Sequence, residues 1–153
     1  MSELGLRFID ADEALKNRVM QEWGENSARH MHLEDGFSIL AMDGNNLVGL
    51  TSVYWRTLPV PLPETCEGYI DILEVHKDFR RKGIATRLID LSLERAHEKG
   101  VYQMRAWSSF DKREAIAMWM SLVFGLCPAA TYPNGQQVMG YFVTKSLFKE
   151  KSQ

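Results

Sequence analysis

The sequence predicts an α+β fold, with a mixed, mostly antiparallel sheet flanked by helices, in a single domain over residues 1–153. Three observations predict it. Residues 37–42 and 47–55 are apolar runs joined by Asp43-Gly44-Asn45-Asn46, a strong signal for an antiparallel hairpin. Residues 68–75 read as a buried strand that leads through a basic turn into a helix over 83–99, followed by another strand over 101–107. That order makes a β-α-β unit with a parallel strand pair, and such units bind ligands at the carboxyl ends of their strands.

The remaining elements follow from local signals. Residues 4–9 read as a first strand. Asp10 and Asp12 offer caps for a helix carrying Ala14, Leu15, Val19, Met20 and Trp23, which ends near Gly24. Residues 26–35 are polar and mixed, either a short second helix or a loop. Residues 56–67 contain Pro59, Pro61 and Pro63 and are expected to form a semi-rigid loop, either a surface connection or one wall of an acceptor pocket. Lys99-Gly100 stops the long helix. Asp111 is placed to cap a further helix through Ala115, Met118, Trp119, Leu122 and Val123. Pro128 and Pro133-Asn134-Gly135 punctuate the tail before a last strand over 138–146.

Composition narrows the function classes. At 153 residues the chain is long enough to bury about 68–70% of its unfolded surface. A net charge of −2 gives no general attraction to nucleic acid or to an anionic membrane. No apolar run approaches the ~20 residues needed to cross a bilayer, and the N-terminus lacks the pattern of a signal peptide, so a cytoplasmic location is expected. Cys66 and Cys127 stand in no metal-like spacing and are expected as free thiols, with a disulfide as the alternative. His30-x-His32 reads as a surface pair rather than a ligand pair, and no metal is expected.

The turn before the long helix is physically unusual. Arg80, Arg81 and Lys82 precede Gly83 at a helix N-terminus, where partial positive charge and unpaired N–H groups favour anions and disfavour cations. A phosphate lying between the cations and the bare backbone resolves the conflict, with glycine allowing its close approach. The alternative is a solvated basic turn. On the strand leading to it, alternation places Glu67, Tyr69, Asp71 and Leu73 on one face and Ile70 and Ile72 on the other. The polar face is then the one open to a substrate. Asp71 and then Glu67 are candidates for a general base, and Glu74 joins them if a β-bulge turns it inward. Asp71 can equally be a cross-strand salt-bridge partner.

Arg80-x-x-Gly83-x-Ala85, between Leu73-Glu74-Val75 and Leu88-Ile89, resembles the acyl-CoA signature of the GNAT-type N-acetyltransferases. That pattern is Gln or Arg, two residues, Gly, one residue, then Gly or Ala. The resemblance extends over most of the chain and implies six or seven strands splayed at the central pair. It implies acetyl-CoA, or a related acyl-CoA, as donor, and direct transfer of the acetyl group to a primary amine of a small molecule or peptide. The pyrophosphate is implied to lie against backbone N–H groups of Arg81, Lys82, Gly83, Ile84, Ala85 and Thr86, with Arg80 and Arg81 balancing charge. The pantetheine arm is implied to pair with Leu73, Glu74 and Val75, and the N–H of Val75 to face the thioester oxygen. A homodimer is a further family expectation.

The last helix departs from the family pattern. Asp111 stands near the position of a cofactor-contacting Asn, and Met118-Trp119 near that of a Tyr that protonates the leaving thiolate. Tyr132, Tyr141 or water is left as the acid, or the thiolate leaves unaided. A second reading is therefore an acyl-CoA sensor or regulatory module that kept the cofactor site and lost the chemistry. A nucleotide-binding protein is disfavoured, because the Gly83 turn carries neither a Walker pattern nor Gly-x-Gly-x-x-Gly.

Overall fold

Asp12 caps the first helix as its sequence predicts: its carboxylate accepts from the Leu15 N–H at 2.9 Å. In the computed structural model, which describes residues 5–59, 61, 64–131 and 138–147, the elements run in the order β1 (Leu6–Asp10), α1 (Glu13–Trp23), α2 (Glu25–Arg29), β2 (Gly36–Asp43), β3 (Asn46–Thr57), β4 (Cys66–Val75), a 3-10 turn (Lys77–Phe79), α3 (Ile84–Lys99), β5 (Gln103–Ser109), α4 (Arg113–Ser121), β6 (Gly125–Thr131) and β7 (Val138–Ser146). The chain divides into two compact units, Met1–Trp55 with Ile70–Arg95, and Arg56–Tyr69 with Ala96–Gln153. β4 runs through both.

In the first unit the strand order is β1-β2-β3-β4. β1 pairs antiparallel with β2, and β2 with β3 through the predicted hairpin, whose last pair is Asp43 with Asn46. A register shift falls between Ala41 and Met42. Leu40, Met42, Leu47 and Leu50 bury against Val19 of α1, Ala28 of α2 and Met31, with Leu15, Trp23 and Ile72 closing the cluster. This apolar burial is what holds the short helix α2 in place, since five residues have no helical stability of their own. Gly49 of β3 supports α3. A Cβ there would come within 2.9 Å of Ile84 and 3.2 Å of Leu88, so glycine sets how closely the start of α3 approaches the strand.

In the second unit the order is β4-β5-β7-β6. β4 and β5 are parallel, with Glu67 beside Gln103 and Tyr69 beside Arg105, as a β-α-β unit requires. β5–β7 and β7–β6 are antiparallel. The α+β, mostly antiparallel expectation is met, with seven strands.

Three expectations are corrected. β6 was not foreseen, because Pro128 and the proline-rich stretch after it read as punctuation. It forms at the end of the strand order, the place in a sheet where a missing N–H is tolerated. Asp111 does not cap α4. The helix starts two residues later with Lys112 at the cap position and no side-chain cap bond, because the Asp111 carboxylate is taken by the Ser109 hydroxyl. β5 lies at Gln103–Ser109 rather than 101–107, since the Tyr102 N–H is spent on the Cys66 carbonyl before the ladder begins. Tyr132 and Pro133-Asn134-Gly135 lie outside the described residues.

Candidate active site

The 3-10 turn and the four residues after it carry the chain from the end of β4 to α3. Arg81 adopts φ 62° and Gly83 φ 80°. Left-handed backbone on either side of Lys82 is the kind of conformation from which anion nests are built. A Cβ on Gly83 would meet no protein atom within 4 Å, so the glycine serves the backbone conformation and leaves the space before it open. The first intrahelical bond runs from the Arg87 N–H to the Gly83 carbonyl at 3.0 Å. The N–H groups of Ile84, Ala85 and Thr86 therefore precede it, and the first turn contains no acidic residue to answer them. The dipole of a 16-residue helix adds to the pull on an anion.

The flanking cations are organised. Arg80 folds back so that its Nε donates to the Val75 carbonyl at 3.2 Å. Lys82 places its ammonium 5.1 Å from the Phe79 ring centroid. Arg80, Arg81 and Lys82 are all exposed. Cations, nest and open helix start thus occupy one continuous stretch of chain.

The burial contrast along β4 fades beyond Ile70. Asp71, Ile72 and Leu73 are all half-buried and Glu74 is exposed. Ile72 packs on the cluster that includes Ala28 and Met31, yet its neighbour Asp71 also meets that part of the chain, accepting at Oδ2 from Nε2 of His32 at 2.8 Å. Glu74, three positions on, accepts from the Ser27 hydroxyl at 2.8 Å. The two carboxylates thus fasten β4 to the segment running from α2 to β2. Asp71 pairs with a loop imidazole rather than with a cross-strand cation.

His32 is the functional candidate that sequence reasoning set aside. Its ring lies 4.5 Å from that of Tyr54, with Nδ1 3.0 Å from the carboxylate of Asp35. The only sequence signal was its pairing with His30, which read as a surface pair rather than a ligand pair. Among the described residues no group of three or more His, Cys, Asp or Glu side chains is placed to hold a metal.

In the second unit Glu67 is completely buried. Its Oε2 lies 2.6 Å from Arg56 Nε and 2.7 Å from a terminal nitrogen of Arg105, and Oε1 accepts from Gln103 at 2.7 Å. The Tyr69 ring sits near both guanidinium groups, 5.2 Å from Arg56 and 5.7 Å from Arg105. A carboxylate so engaged is a hub of charge-assisted bonds. Asp111 is exposed, and the Ser109 hydroxyl holds its carboxyl below the ordinary carboxylate range. Cys66 and Cys127 are exposed free thiols. A cavity of about 340 Å³ in this unit is lined by Glu64, Cys66, His97 and Tyr102 among others, and by none of the predicted site residues.

No helix among the described residues is long and apolar enough to cross a membrane. Comparison with known proteins places the fold and the family. A curated relative, N-alpha-acetyltransferase 30 of Schizosaccharomyces pombe, is 29% identical over 94 residues; the match covers 61% of each chain, so this protein spans about three fifths of that relative's length. The crystal structure of Arabidopsis thaliana NAA60 in complex with acetyl-CoA is similar with a TM-score of 0.77 and 15% identity, over 93% of this chain and 99% of that one. The ribosomal-protein-S18-alanine N-acetyltransferase of Escherichia coli matches with a TM-score of 0.73 and 13% identity, over 95% and 96%. The family model described as acetyltransferase (GNAT) family matches residues 4–124, well over half of the sequence, and the chain belongs to that family.

Proposed function

We propose that this protein transfers the acetyl group of acetyl-CoA to a primary amine. The observation that carries the reading is the start of α3: two left-handed residues, open space before Gly83, three N–H groups ahead of the first helical bond and no acidic side chain to satisfy them. These features fit a pyrophosphate. The N–H groups of Arg81, Lys82, Gly83, Ile84, Ala85 and Thr86 would hold its oxygens, with Arg81 and Lys82 supplying charge. Arg80, bonded to the Val75 carbonyl, ties the turn to the end of β4. Leu73, Glu74 and Val75 would pair with the pantetheine arm, and a backbone N–H at Val75 would stabilise the oxygen that gains charge as the acyl carbon becomes tetrahedral.

The acceptor must be neutral to attack. An α-amino group, with a pKa of about 7.7–8.0, needs less help than a lysine at about 10.4. The names of the S. pombe relative and of the E. coli structure describe N-terminal and alanine N-acetylation by those proteins, and we propose a peptide α-amine as acceptor here. Asp71 is the base in this reading. It lies on the strand that would bear the acyl arm, is half-buried, and engages His32 through one oxygen. Asp71 takes one proton from the acceptor ammonium, and the freed nitrogen pair attacks the acyl carbon as the carbonyl π pair moves onto oxygen. The carbonyl re-forms as the C–S bond breaks, the second nitrogen proton passes through water to the departing thiolate, and Asp71 returns its proton to solvent. Glu67 is built into the second unit's ion-pair hub, and Glu74 is held by Ser27.

The test is turnover of acetyl-CoA with a library of free-amino pentapeptides varied at the first residue, followed by mass spectrometry. A gain of one acetyl group at the α-nitrogen, lost in Asp71→Asn, is the expected result. Acetylation only of lysine side chains would overturn the acceptor assignment, and turnover unchanged in Asp71→Asn would remove Asp71 as base.

A further inference from the structure

The buried stretches of β2 and β3 are apolar except at Ser38, Thr51 and Ser52; Thr51 donates to the Ile72 carbonyl, and the two serines form a register pair. Ser38 and Ser52 are directly opposite each other and both buried, 2% and 0% exposed, between Phe37 and Leu40 on one strand and Leu50 and Val53 on the other. Their hydroxyls are directed at a single residue outside the sheet. The His32 N–H donates to Ser52 Oγ at 2.7 Å, and Ser38 Oγ lies 2.9 Å from the His32 carbonyl oxygen. Ser52 in turn donates to the Phe37 carbonyl. Buried hydroxyls weaken a core unless their bonds are made, and these two are used to clamp one loop residue by both of its backbone groups.

The ring is held as firmly as the backbone. Tyr54 packs against one side, and the two nitrogens face Asp35 and Asp71. When both nitrogens carry hydrogen, both bonds form. A neutral ring has one hydrogen to give, and the two carboxylates compete for it. Asp35 is 62% exposed and can turn to water, whereas Asp71 is 26% exposed. The hydrogen therefore belongs on Nε2, toward Asp71, in either charge state of the ring.

We propose that His32 is a positioning residue for acetyl transfer: its Nε2–H holds Oδ2 of Asp71 and so fixes the carboxylate with Oδ1 presented to the acceptor amine. The inference rests on Asp71 being the base. The groups facing His32 are Asp35 on its own loop, Asp71 of β4 and the Tyr54 ring of β3. A base held by a second group that is itself oriented by a third is a general device for proton abstraction. Here the second group is fixed by the sheet core rather than by a flexible loop.

The experiment compares kcat and KM for wild type, His32→Phe, His32→Gln and Asp71→Asn, with acetyl-CoA and the best pentapeptide acceptor. His32→Phe should lose about tenfold in kcat, the scale of one hydrogen bond to a charged group, with KM for both substrates little changed, because the base is present but no longer held in place. His32→Gln keeps an N–H and should recover most of the rate. A second measurement, the ¹⁵N shifts of the neutral His32 ring in the free protein, should show hydrogen on Nε2 in wild type and a loss of that preference in Asp71→Asn. An equal rate loss in both His32 variants, tracking a lowered Tm, would make His32 merely structural and overturn the proposal. Activity intact in Asp71→Asn, or no turnover by wild type, would overturn the reading beneath it instead.

Discussion

Arg105 reaches the fully buried carboxylate of Glu67 across the parallel β4–β5 pair, and Arg56 meets the same oxygen from the end of β3. One carboxylate thus serves two guanidinium groups and the Gln103 amide. Arg105 Nε has no partner of its own although buried, so the cluster has no spare acceptor to offer if Glu67 is lost.

Replacing Glu67 with Gln should therefore be costly to stability. It leaves a partly buried Arg105 without its counter-charge, a loss of about 3 kcal/mol on the scale of broken buried ion pairs. For a chain of this size that corresponds to roughly 6–12 °C in Tm. Activity per folded molecule should persist at a temperature well below the lowered Tm. A near-complete loss of kcat with an unchanged Tm would instead return Glu67 to the role of base.

Val123 is the clearest strained position. After α4 the Phe124 N–H bonds the Trp119 carbonyl and the Val123 N–H bonds that of Met120, with the Trp119 and Phe124 rings 4.8 Å apart. This is a Schellman ending, whose left-handed position usually holds glycine. Val123, β-branched and 76% exposed, occupies it at φ 63°. Val123→Gly should raise stability by about 1 kcal/mol, roughly 2–4 °C in Tm. A lower Tm would show that the side chain makes a contact worth more than the strain.

Gly49 links the sheet to the start of α3, the proposed cofactor site. An added methyl there must move Ile84, Ala41 or Leu88. Gly49→Ala should cost about 1–3 kcal/mol by overpacking and should also weaken acetyl-CoA binding, because Ile84 is the first residue of α3. Titration calorimetry reads the second effect; unchanged affinity would show that α3 yields elsewhere.

Asp111 provides a pH test. The Ser109 hydroxyl lowers its carboxyl below the ordinary value of 3.8. A group held lower in the folded state than in the unfolded one adds stability above the unfolded value, and loses it as pH falls through the folded one. In Ser109→Ala that acid-side contribution should vanish, and the Asp111 carboxyl ¹³C shift should titrate at higher pH than in wild type. An unmoved titration would mean the hydroxyl is not the cause.

Much of the architecture was legible because its signals are local. Asp12, Gly24, the Asp43–Asn46 turn and the Lys99-Gly100 stop each act on neighbours in sequence. The basic turn into α3 was legible for the same reason: cations, glycine and helix start are consecutive. What stayed hidden depends on distant partners. Strict alternation put Asp71 and Ile72 on opposite faces, whereas both meet the α2–β2 segment. The charge on Glu67 suggested an open face, but Arg56 and Arg105, 11 and 38 positions away, turn it into a buried hub. His32 carried no usable pattern, since its anchors Ser38 and Ser52 look like ordinary strand residues until their register is known. Asp111 lost its cap role to a hydroxyl two residues before it.

The most direct test of the cofactor site is thermal unfolding of wild type and Gly83→Glu, each with acetyl-CoA, CoA or ATP. At ligand near 100 times Kd, linkage gives about 2.7 kcal/mol, a rise of roughly 5–11 °C. Wild type should show that rise with acetyl-CoA and CoA and little with ATP, which lacks the pantetheine arm proposed to pair with Leu73, Glu74 and Val75. Gly83→Glu should lose it, since the new carboxylate would occupy the open space before α3. An equal rise in both proteins, or none in wild type, would contradict an acyl-CoA site at the start of this helix.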